Sequence, residues 1–153
     1  MFIELQNHKV FSSDVGQSFD KNKHTIVLLH GSGQSHVVWS LIDQYLVDEG
    51  YNIFTFDLPG HGNSEGASLK SIEDMAEWLE KVILKIGIES LSILGHSQGC
   101  LIALEYAFKF PKKIKNLIFV AGSYEIPVNK SLISLAQSGD MESLNLMMKW
   151  GYG

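Results

Sequence analysis

Apolar positions along the 153 residues recur with two periods, and the changes of period divide the chain into elements. The opening stretch FIELQNHKVFSSDVG alternates apolar with polar residues and breaks at Asn7 and His8, which predicts a hairpin of two antiparallel strands. From Thr25 to Leu29 the run is continuous, as in a strand buried on both faces. A helical pattern from Val37 to Glu49 stops at Gly50, and YNIFTF follows as a second buried strand. Ser71 to Ile86 is the clearest helix, with Ile72, Met75, Leu79, Val82, Ile83 and Ile86 on one face and Ser71 with Asp74 forming an N-cap. LSILG predicts a third buried strand, Gln98 to Phe110 a helix closed by Pro111, and IKNLIFVAG a fourth buried strand.

Strand and helix therefore alternate from residue 25 to 121, which calls for an α/β fold: a parallel sheet with helices on both faces, entered through antiparallel strands. After Pro127 the pattern changes to two amphipathic helical pieces, SLISLAQSGD and MESLNLMMKW. The expected division is a core over residues 1–126 and a helical tail or cap over 127–153. Strand 115–121 is then the last of the sheet, an edge that either the tail or something outside this sequence covers.

Composition narrows the function classes. A net charge of -5 with no cluster of lysine or arginine excludes nucleic acid and anionic membrane as the main partners. Cys100 is the only cysteine, so neither an intrachain disulfide nor a multi-cysteine metal site forms. The N-terminus does not resemble a signal peptide, and no apolar run approaches the roughly 20 residues of a membrane span. The expectation is a cytoplasmic protein.

In a doubly wound sheet, functional groups collect at the carboxyl ends of the strands. Three distinctive stretches fall there: HGSG after the first buried strand, DLPGHGNS after the second and GHSQG after the third. In GHSQG, Gly95 and Gly99 permit a sharp strand-to-helix turn that displays Ser97, with His96 beside it, and the amide of Gln98 opens the helix. The bland alternative is a glycine-rich turn whose serine caps the helix. His30 and Gly31 lead to a second backbone donor, the Ser32 amide; the alternative there, a phosphate loop, lacks the lysine and glycine spacing of that class.

The order of these three motifs resembles the N-terminal half of the α/β-hydrolase family, its esterase and lipase-like members with a helical cap. The resemblance implies Ser97 as nucleophile, the Ser32 and Gln98 amides as oxyanion hole, support from His30, Gly31, Gly95, His96 and Gly99, and a small-molecule ester or acyl substrate. This serine-hydrolase reading implies no metal or organic cofactor. Asp57 to Ser64 corresponds to a structural turn, and Asp57 and His61 are expected to shape a pocket rim. The sheet is expected to be partial, truncated before the family's last two strands.

The base is missing. The family order is serine, then acid, then histidine, yet the histidines at 8, 24, 30, 36, 61 and 96 all precede Ser97. No catalytic histidine is found; His36 and His61 border the pocket at most, and Glu125 is the one candidate acid, with an exposed loop glutamate as its alternative. Cys100 is expected to be a buried, inert thiol, and Met147, Met148 and Trp150 to be packing or pocket lining. Two functions remain open: a serine hydrolase working through an acyl-enzyme but unable to turn over well alone, its base and acid supplied by a complementing C-terminal fragment, or an incomplete binding module whose open edge pairs with a partner or with a second copy in a homodimer.

Overall fold

Gln6 and Asn7 both take positive φ, 49° and 71°, the pair of left-handed residues that a two-residue hairpin loop requires. They join β1 (Phe2–Leu5) to β2 (His8–Ser13), in register from Phe2 opposite Phe11 to Leu5 opposite His8. The structure, a computed structural model, describes residues 1–151; the side chains of residues 150 and 151, and with them the expectation for Trp150, lie outside the described residues.

The hairpin extends a sheet of order β1-β2-β4-β3-β5-β6, in which β3 (Thr25–Leu29), β4 (Asn52–Phe56), β5 (Leu91–His96) and β6 (Ile114–Val120) run parallel. Continuous apolar strands are what a sheet covered on both faces demands. Val27, Leu29, Phe54, Phe56 and Ile93 turn to one side, against α2 (Ile72–Ile86) and α3 (Gln98–Lys109). Ile26, Leu28 and Ile53 turn to the other, against Trp39, Leu46 and Val47. Ser71 caps α2 as its sequence predicts, its side chain accepting from the Asp74 amide at 3.1 Å. Glu80 of α2 accepts from the buried Tyr106 hydroxyl of α3 at 2.6 Å. Burial first, and Glu80 second, push that hydroxyl well above its ordinary range.

Two predicted elements come out differently. The helix expected over 37–49 is a 3-10 turn, His36–Trp39, followed by a short α1, Asp43–Asp48. Asp57 takes the His36 amide at 2.6 Å, anchoring the first turn to the β4 end, and Trp39 drops into the core, so the chain cannot wind on as one helix. The last strand, expected to be buried on both faces, is largely exposed, with Ile118 at 44%. Among the described residues it pairs with β5 alone. The tail helices α4 (Lys130–Ser138) and α5 (Glu142–Gly151) pack on each other, and α4 buries none of its residues. Among the described residues, no helix is long and apolar enough to cross a membrane.

The crossovers put the functional loops together. The chain leaves β3 for the Trp39 face and leaves β5 for the α3 face, while the two strands lie side by side. Loops diverging from adjacent parallel strands open a crevice at their carboxyl ends.

Candidate active site

Ser97 occupies that crevice with φ 51° and ψ -116°, a conformation that costs a residue bearing a Cβ on the order of 1–3 kcal/mol and persists only where its surroundings over-determine it. The surroundings are visible. A Cβ on Gly95 would stand 2.5 Å from the Gly99 carbonyl, and one on Gly99 would run into the Leu29 carbonyl, so both glycines are required by close backbone approach. The Ser97 amide donates to Val120 at 3.0 Å and its carbonyl accepts from the Cys100 amide at 2.9 Å. Below the turn, Ala121 takes φ 49° and Gly122 packs on the Cys100 sulfur, where no side chain would fit.

The bland reading of Ser97 as a helix cap does not hold, because its side chain makes no capping hydrogen bond to α3. Gln98 is the first residue of α3, so its amide is among the helix N-terminal donors that lack an intrahelical partner, at the positive end of the dipole.

The facing loop is a tight turn. Gln34 donates its amide to the Gly31 carbonyl at 3.3 Å, and Gly33, at the third position, takes φ 67°, as a type II turn requires. Ser32 sits at its second position. His30, fully buried, braces the turn from beneath: Nδ1 donates to the Gly31 carbonyl at 2.8 Å and Nε2 accepts from the Leu58 amide at 3.1 Å. Both ring nitrogens are thus committed to a neutral imidazole, and burial in particular holds its pKa below the usual histidine value. His30 is a structural part of the loop.

Gly31 brings the two sides into contact: a Cβ there would lie 3.1 Å from the Ser97 Cβ and 3.1 Å from His96 Nδ1. His96 turns toward Gln34, Nδ1 to Oε1 2.9 Å. The structure therefore gathers His30, Gly31, Ser32, Gly95, His96, Ser97, Gln98 and Gly99 at one crevice. Glu125 lies exposed in the irregular stretch after β6. From above, Met147 of α5 comes within 3.9 Å of the Cβ position of Gly33, while Met148 faces solvent. Cys100 is fully buried with its thiol on the Gly95 carbonyl at 3.1 Å, and burial pushes that thiol up, away from reactivity.

Asp57 corrects the expectation of a pocket-rim residue. Its carboxylate is completely buried and accepts from the His36 amide, from His36 Nδ1 at 3.0 Å and from the Asn63 amide at 2.8 Å. Gly62 packs against it with φ 52° and no room for a Cβ. A buried carboxylate needs several donors, and this one organises the loop after β4. His61 donates Nδ1 to the Pro59 carbonyl at 3.1 Å and lies with its ring 5.2 Å from that of His30. No histidine hydrogen-bonds to Ser97 among the described residues. Sequence reasoning missed Gln34 and the His36–Asp57 pair; the glycine spacing GHG after Asp57 was the one signal for the latter.

Comparison with known proteins follows the same outline. Residues 24–149 match the family described as alpha/beta hydrolase fold. Over 111 residues the chain is 33% identical to the Abhydrolase domain-containing protein abhd-5.2 of Caenorhabditis elegans, a match covering 67% of this chain and 24% of that protein. A structure from work on carboxylesterases of Nitrososphaera gargenis superposes with a TM-score of 0.77 at 22% identity, over 90% of this chain and 51% of the other. A thioesterase domain from the curacin biosynthetic pathway gives 0.70 at 24% identity, over 90% and 50%. The chain thus spans about a quarter of that curated relative and about half of these solved structures.

Proposed function

The chain belongs to the alpha/beta hydrolase family, and from that premise we propose that it carries the nucleophile half of a serine hydrolase acting on an ester or related acyl bond. The observation that carries this reading is the uncapped Ser97 hydroxyl, held in a strained turn beside a helix N-terminus. Neighbours named for carboxylesterase and thioesterase activity support the acyl-bond class.

In the proposed reaction Ser97 Oγ attacks the carbonyl carbon while the carbonyl electron pair moves onto oxygen. The resulting oxyanion accepts from the amides of Ser32 and Gln98; one such donor is worth about 3 kcal/mol in transition-state binding. Collapse expels the alcohol or thiol and leaves an acyl-enzyme, which water cleaves to the acid. The proton on Oγ needs an acceptor, and all six histidines precede the nucleophile, several already committed to structural bonds. Our reading assigns the acid and the base to a segment that adds strands along the free edge of β6. Removing triad members lowers the rate by about 10⁴ to 10⁶, so the 153 residues alone turn over poorly.

The test is hydrolysis of p-nitrophenyl butyrate by the chain alone and mixed with a C-terminal hydrolase half that carries further strands and a late histidine. Slow turnover that rises on mixing and vanishes in Ser97→Ala is the expected result. Mixed activity indifferent to Ser97→Ala overturns the reading. The exposed apolar strand β6 favours a second reading, an interaction module; an inactive, monodisperse dimer that no C-terminal half activates would support it instead.

A further inference from the structure

The Gln34 side chain bridges the two loops, and its orientation follows from chemistry. The Gly31 amide faces Gln34 Oε1 at 2.9 Å. A backbone N–H can only donate, so the side-chain atom opposite it is the carbonyl oxygen and not the amide nitrogen. The same oxygen lies 2.9 Å from His96 Nδ1. An amide oxygen only accepts, so Nδ1 of His96 carries the proton. One acceptor thus receives two donors, one from each loop.

Those donors stand next to the groups that matter. Gly31 precedes Ser32, and His96 lies two residues before Gln98. The backbone pairing of β3 with β5 ends at Leu29 opposite Gly95; beyond it the chains depart to opposite faces of the sheet. Gln34 continues the tie past that point. Its own position is fixed by its amide, which closes the turn on the Gly31 carbonyl.

We infer that Gln34 is a positioning residue: by holding Gly31 and His96 on one carboxamide oxygen, it sets the spacing between the Ser32 and Gln98 amides. The inference rests on the proposed role of those amides as an oxyanion hole. A donor pair is useful only where both N–H groups reach the developing oxyanion, and a displacement of about 1 Å costs about 100-fold. His96 is the second member of the clamp, holding the serine turn from its other side.

The experiment uses the whole chain and an alkyl fluorophosphonate, in which Ser97 Oγ displaces fluoride from phosphorus and the phosphoryl oxygen occupies the place of the oxyanion. Labelling is followed by intact mass over hours near pH ~9, where hydroxide takes the serine proton in the absence of a histidine. Gln34→Leu, which keeps the bulk and removes the oxygen, is expected to slow labelling at least about tenfold, and His96→Leu likewise. His96→Asn, whose Nδ2 stands in the place of Nδ1, recovers the rate to within about threefold. Labelling of Gln34→Leu at the wild-type rate overturns the inference and leaves the hydrolase reading intact. A wild-type chain labelled no faster than Ser97→Ala overturns both. Should the leucine variants not fold, nitrogen NMR of the wild-type chain decides: a proton on Nδ1 of His96 is expected, and a neutral ring protonated on Nε2 excludes the clamp.

Discussion

Strands β5 and β6 are neighbours with similar apolar runs, LSIL and LIFV, yet they live in different surroundings. β5 lies between β3 and β6, with α3 packed on it, and Leu91, Ile93 and the following Cys100, Ile102 and Ala103 are sealed from solvent. Among the described residues β6 pairs with one strand, and Ile118, Phe119 and Val120 are each about two-fifths exposed, at 44%, 39% and 41%. The strained serine turn sits at the end of the first strand. Strain is held where packing leaves the chain no alternative; the buried interior of this sheet supplies most of that packing, and the edge strand adds the Val120 carbonyl, which accepts from the Ser97 amide. A crevice can therefore be preformed in a sheet that still has a side free for pairing.

Gly99→Ala should break the interior side most severely. Its new methyl runs into the Leu29 carbonyl, a backbone atom that cannot move without disrupting β3. A loss above about 4 kcal/mol is expected, enough to consume much of the stability of a domain this size. Urea titration followed by circular dichroism reads it; a variant with a midpoint near that of the wild type would show that the turn is not over-determined.

The two strands can be compared directly by cutting the same side chain in each. Ile93→Ala removes a fully buried group and is expected to cost about 2–5 kcal/mol, whereas Ile118→Ala should cost under about 1 kcal/mol. Equal losses in the two titrations would mean that the β6 face is covered in solution.

That contrast also explains what could be read from the sequence. The hairpin, the parallel strands, α2 with its Ser71 cap and the three loop motifs were legible because period and turn chemistry are local. The exposure of β6 was not, since an unbroken apolar run reports what a strand can bury and not how many neighbours it has. The split of the 37–49 helix was hidden for a related reason: its cause is Asp57, some 20 residues away in sequence, reaching back to His36. At the site, the serine turn and the donor loop followed from glycine spacing. Gln34 carried no such mark, because a glutamine in a loop reads as solvated until its two partners are seen.

Acidification separates the regions by chemistry. His30 is held neutral, its folded pKa below the ordinary 6.5, so below about pH 6.5 the unfolded chain binds a proton that the folded chain refuses. This contribution to stability is complete above that pH and is lost as pH falls through it. In His30→Gln the new side-chain oxygen still accepts from the Leu58 amide but cannot titrate. Its urea midpoint is expected to depend less on pH between about 7 and 5.5 than that of the wild type; parallel profiles would remove His30 as the source.

The smallest effect compares two caps of the same kind. Ser71 accepts from the Asp74 amide at 3.1 Å to start α2, and Asn129 accepts from the Ser131 amide at 2.8 Å to start α4. Either bond lost to alanine is worth about 1 kcal/mol to its own helix. α2 buries Met75, Ala76, Trp78, Leu79, Val82 and Ile83 in the core, so it cannot fray without exposing them, and Ser71→Ala should lower global stability by nearly that whole amount. α4 buries nothing and can open while the sheet stays folded. Asn129→Ala should therefore leave the urea midpoint unchanged and instead raise amide exchange within residues 130–138, because an opening below the global free energy draws only on local contacts. A global loss as large as that of Ser71→Ala would mean that the tail and the core unfold as one unit.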